Sequence, residues 1–146
     1  ESATATATIT VQAAPQLTLH LDNGSGFACY GCIAEYVVTL TNTGGAATAV
    51  PVQFSVSQGI DLQHASVACT GDQGTNCTQD ASDPLHFTVT LPANSSVMWL
   101  LDLPVRADAA EAAITLEANA TGASPLSHAS TLVLFRDGFD NAASTP

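Results

Sequence analysis

The feature that most constrains this chain is a two-residue alternation of apolar and hydroxyl-bearing side chains that restarts after each Gly, Pro or Asn cluster. Successive residues of an extended strand point to opposite faces, so a period of two describes strands buried on one side. In residues 4–12, Ala5, Ala7, Ile9 and Val11 fall on one side and the threonines on the other. Leu17, Leu19 and Leu21 alternate with Thr18, His20 and Asp22 until Asn23-Gly24-Ser25-Gly26 breaks the pattern. Tyr36, Val38 and Leu40 form the next inward set, then Val50, Val52, Phe54 and Val56, then Leu85, Phe87, Val89 and Leu91. Residues 92–96 turn the chain into Val97, Trp99 and Leu101, and Ile114, Leu116 and the run 132–135 complete the series. Residues 108–112 have helical composition but amount to one turn without an apolar stripe.

Short strands separated by turn residues, with no helices between them, predict an all-β antiparallel sandwich rather than a parallel α/β sheet. Pro51 and Pro104 fall inside apparent strands. Proline cannot donate to a ladder, so those strands are expected at sheet edges or to carry bulges there. The 146 residues suit one domain. The expected division is an N-terminal strand over residues 1–14, a sandwich over 15–136 and a tail over 137–146. Glu1 is preceded by no methionine and followed by no basic-then-apolar leader, which suits a processed chain and a fragment alike.

Formal net charge is -11, with no lysine and with Arg106 and Arg136 as the only arginines. Such a surface repels phosphate backbones and anionic headgroups, which argues against nucleic acid and against electrostatic docking on a membrane. The longest apolar run, residues 97–101, is too short to insert across a bilayer as a helix.

Cysteines fall in two local pairs, Cys29 with Cys32 and Cys69 with Cys77. In an oxidising compartment they read as two small-loop disulfides, although four cysteines permit three pairings. A thioredoxin-like role for Cys29-Tyr30-Gly31-Cys32 requires a helix after the first thiol, and none is predicted.

The run Tyr36-Val37-Val38-Thr39-Leu40-Thr41-Asn42-Thr43-Gly44-Gly45, continuing into Val50-Pro51-Val52, resembles the repeated immunoglobulin-like domain of bacterial and archaeal surface proteins, a repeat of unknown function. The likeness extends through Val67-Ala68-Cys69 and Cys77 to Leu91-Pro92 and Val97. The family's Gly-Asp before the tyrosine strand is replaced by Gly31-Cys32-Ile33-Ala34-Glu35. The resemblance implies an immunoglobulin-like sandwich, here with an additional N-terminal strand, at the surface of a prokaryotic cell. Arg136-Asp137-Gly138-Phe139-Asp140 resembles an Asp-Gly-Phe-acidic ending of secreted proteins in some Gram-negative bacteria.

Chemistry-bearing groups are sparse. His20, His64, His86 and His128 are candidates for metal ligands or a general base, but His20 and His86 lie on the solvent phase of their strands, and exposed histidines are the expectation. No Gly-x-Ser-x-Gly elbow, His-Glu-x-x-His helix or phosphate-cradling loop occurs, so no catalytic residue, metal or cofactor is assigned. Residues 72–76 and 80–83 are oxygen-rich but lack a full calcium-loop series, and a polar hairpin is the expectation for the first. Asn23, Asn76, Asn94 and Asn119 begin glycosylation sequons. Trp99 shares the inward phase, whereas Tyr30, in a Gly-rich loop, is the candidate for stacking on carbohydrate.

The expected function is a non-enzymatic extracellular structural or adhesive module, a fibre subunit assembling by β-strand donation through Ala5, Ala7, Ile9 and Val11. Its partners are then further copies or neighbouring surface domains. The competing reading of residues 4–12 is an edge strand within its own domain. The alternative function is an accessory carbohydrate-binding domain of a secreted enzyme. A small secreted hydrolase requires a cleft with perturbed carboxylates.

Overall fold

The computed structural model describes residues 13–23 and 26–134. In chain order the strands are β1 (Leu17–Asn23), β2 (Phe27–Cys29), β3 (Ile33–Asn42), β4 (Ala47–Val56), β5 (Ser66–Gly71), β6 (Asn76–Gln79), β7 (His86–Leu91), β8 (Ser95–Pro104), β9 (Ala113–Ala120) and β10 (Leu126–Val133). Among the described residues there is no helix.

The alternation read from sequence becomes the core. Tyr36, Val38 and Leu40 of β3, Val52 and Phe54 of β4, Phe87, Val89 and Leu91 of β7, and Val97, Trp99 and Leu101 of β8 are all buried. Each such side chain contributes roughly 1.5–3 kcal/mol by leaving water. Trp99 sits at the centre, edge-on to Phe54 and Phe87 with ring centroids 5.3 and 5.8 Å away. Val56 is only partly buried, because it lies where β4 ends.

Two sheets enclose this core. One has the order β1-β3-β8-β5, the other β2-β10-β9-β4-β7-β6. The first is the A-B-E-D order of an immunoglobulin constant domain, and β10-β9-β4 is its G-F-C order. Onto that frame the chain adds β2, which runs parallel to β10, and the antiparallel β6–β7 pair beside β4.

Several expectations need correction. Pro51 lies in β4, an interior strand between β7 and β9, and Pro104 in β8, an interior strand between β3 and β5. Neither costs a ladder bond. For β4 the bulge alternative holds: a register irregularity between Ala47 and Val50 precedes Pro51, and the β4–β9 ladder begins only at Val52. Pro104 lies past Asp102, where the β5–β8 ladder ends. Residues 72–75 do not join a hairpin, because β5 and β6 belong to different sheets. β10 begins at Leu126, six residues before the run expected for it. The expected strand over residues 4–12 and the tail over 137–146 lie outside the described residues.

Asn42, at the inward phase of β3 and fully buried, ties three segments together. Its Oδ1 accepts from the N–H groups of Gln16 and Gly44 at 3.1 and 3.0 Å. Its Nδ2 donates to the carbonyls of Gly45, Leu91 and Pro92 at 2.7, 3.3 and 3.3 Å. The entering chain therefore lies on the β3–β4 turn, with Gly45 N–H donating to Ala14 O at 3.0 Å. The approach demands glycine, since a Cβ on Gly45 would stand 1.8 Å from Ala13 O. At the opposite end of β3, about 30 Å away for a strand of this length, the chain leaves: Tyr30 N–H donates to Val133 O at 3.4 Å.

Candidate functional site

The two cysteine pairs are joined as disulfides, Cys29 to Cys32 and Cys69 to Cys77. Their placement matters more than their loop sizes. Cys29 ends β2, the edge of the six-stranded sheet, and Cys32 immediately precedes β3 of the four-stranded sheet. Cys69 lies in β5 and Cys77 in β6, the edges of the two sheets on the other flank. One disulfide thus clasps each flank where the chain crosses between sheets.

The oxygen-rich loops hold their own turns. Asp80 Oδ1 accepts from the N–H and hydroxyl of Ser82, Asp83 Oδ1 from Leu85 N–H, and Asp72 Oδ2 from Ser96 N–H. Among the described residues, no group of three His, Cys, Asp or Glu side chains converges as a metal site. The hydrogen bond from His64, at 2.7 Å, holds the Asp61 carboxyl below its ordinary range, and the bonds from Ser82 do the same for Asp80. A general acid needs the opposite displacement.

His20 and His64 are exposed, each beside an aspartate, and His86 is half-exposed beside Asp80. His128 instead packs its ring edge-on to Tyr36 at 5.9 Å. Tyr30 is partly buried against the core, and its hydroxyl donates to Glu111 O at 3.0 Å, which leaves it a packing residue rather than a flat stacking platform.

The accessible backbone lies at the sheet edges. β1 pairs with β3 from Val37 to Asn42, whereas β8 pairs with it along its whole length from Ile33. Ile33 to Tyr36 therefore face no strand on the β1 side among the described residues. A cleft of about 290 Å³ opens there, lined by Phe27, Ala28, Cys29, Ile33, Ala34, Glu35 and Tyr36. Phe27 and Ile33 are 64% and 62% exposed at this cleft. The sequence alternation locates β3 but cannot show how far β1 covers it, so this feature was illegible there.

No family model matches the sequence, and no curated protein matches it. Solved structures do. AvmM, which catalyses macrocyclization in alchivemycin A biosynthesis, is 10% identical with a TM-score of 0.54, over 84% of this chain and 92% of its own. The CARDB domain of the PF1109 protein from Pyrococcus furiosus, solved with di-metal ions, is 14% identical with a TM-score of 0.51, over 88% of this chain and 100% of its own. The fold is immunoglobulin-like. One of these relatives in shape is an enzyme, so shared architecture alone leaves the activity of this domain open.

Proposed function

We propose that this domain is a non-enzymatic structural or adhesive module of the prokaryotic cell exterior, assembling with further copies by β-strand donation. The polarity of the chain carries the reading. Ala13 enters beside Gly44 and Gly45, and Leu134 leaves beside Tyr30 at the opposite pole. Copies placed end to end bring the N-terminal segment of one against the far pole of the next. Such head-to-tail contacts do not close and so propagate as a fibre. Two disulfides clasping opposite flanks support an oxidising, extracellular setting. Negative-stain imaging of the chain tests the proposal: filaments with an axial repeat on the order of 40 Å, one strand length plus its loops, support it. Monodisperse single domains at every concentration contradict it, as does turnover of a glycan, ester or peptide that is lost when one carboxylate is replaced.

A further inference from the structure

We infer that the cleft between β2 and the stretch of β3 from Ile33 to Tyr36, which no described strand covers on the β1 side, is the acceptor for residues 8–12 of a second copy, with Ile9 and Val11 entering it. The inference rests on the assembly reading above and names its contact.

The backbone geometry sets the length and direction. The uncovered stretch, Ile33 to Tyr36, spans about 13 Å at strand rise, room for four or five residues of an added strand. β1 runs antiparallel to β3 and occupies the same edge from Val37 onward. A segment entering from the Cys29–Cys32 pole and pairing antiparallel to β3 extends the line of β1, meeting its end after those few residues. The residues of the donor nearest Ala13 are then the ones that fit, which selects 8–12 over 4–7. Alternation sends every second side chain between the sheets, and in this window those are Ile9 and Val11.

Reach and charge both favour a second copy. Ala13 lies at the Gly44–Gly45 pole, so a segment folding back on its own domain must first pass the whole of β1. Seven strand residues are about 23 Å, and the five that remain would run parallel to β3 rather than continue the antiparallel line of β1. A second copy presents the segment at the correct pole without that detour. The chain carries net charge -11, but Glu1 is its only charged residue before Asp22 apart from His20, so this segment approaches another acidic subunit without like-charge cost. Among the described residues, Glu35 is the one carboxylate lining the cleft.

Cysteine cross-linking of full-length chains tests this. A Thr10→Cys chain, whose thiol falls on the outward face of the added strand as Glu35 does on β3, is mixed with a Glu35→Cys chain and, in parallel, with an Ala68→Cys chain that reports on the β5 edge; Glu35 and Ala68 are both exposed, so neither change disturbs the core. The expected result is a disulfide-linked dimer in the Glu35→Cys mixture, at least about tenfold above the Ala68→Cys mixture. Adding Ile9→Asp to the Thr10→Cys chain lowers that yield about tenfold, because a carboxylate then enters a cleft lined mostly by apolar side chains. A dimer formed mainly through Ala68→Cys overturns the acceptor while leaving strand donation standing. A Thr10→Cys, Glu35→Cys double variant that closes within one chain at high dilution assigns the cleft to its own segment and also overturns the inference. No cross-link in any mixture, with sedimentation unchanged after removal of residues 1–12, overturns both the acceptor and the assembly reading.

Discussion

The hydroxyls of Tyr36 and Ser130 meet at 2.7 Å across the buried interior, one on β3 and the other on β10, so their hydrogen bond links the two sheets. Burial raises the Tyr36 pKa above its ordinary 10.0, partly offset by that bond. The folded state therefore holds its proton where the unfolded chain releases it. Stability from this group is complete below pH 10 and is lost as pH rises through the folded value. Tyr36→Phe should cost about 1 kcal/mol at neutral pH and flatten the alkaline fall in stability, both readable from urea unfolding between neutral pH and pH 11. An alkaline slope unchanged in the variant would assign that fall to another group.

Asn42→Ala should be the more damaging change. It leaves the Gln16 and Gly44 N–H groups and three carbonyls without the carboxamide that satisfies them. A loss of about 3 kcal/mol is expected, the scale for several buried polar groups unpaired together. Asn42→Asp should cost at least as much at neutral pH, because a carboxylate then faces the carbonyls of Gly45, Leu91 and Pro92, and should recover as pH falls. Thermal melts of both variants from pH 4 to 8 check the order and the sign.

The disulfides offer a third test. Loop-closure entropy assigns about 2.5 kcal/mol to Cys69–Cys77 and about 1.7 kcal/mol to the shorter Cys29–Cys32 loop. Replacing each pair by alanine should therefore destabilise in that order, measured by urea midpoints under non-reducing conditions. Non-reducing peptide mapping that joins Cys29 to Cys69 or Cys77 would contradict the flank arrangement itself.

Much of the frame was legible because burial on one face writes itself as a period of two. Tyr36, Val38 and Leu40 are inward both in pattern and in structure. The short strands were harder. β2 spans three residues and β6 four, too few to show a period, and both are placed by pairing with β10 and β7. Pro104 misled for a related reason: sequence shows a missing donor but not where each neighbouring ladder stops. Asn42 and Ser130 did leave a signal, a polar residue on the inward phase of its strand. Finding their partners required the other sheet, and the cleft beside Ile33 required knowing where β1 ends.

The central claim is that residues 1–12 carry assembly rather than the stability of their own domain, and their deletion tests it most directly. Sedimentation velocity should show the full chain associating with rising concentration. The truncated chain should remain a folded monomer with an unchanged melting temperature, and a synthetic peptide of residues 1–14 should bind it. A truncated chain that still assembles, or that unfolds as a monomer, would contradict the account.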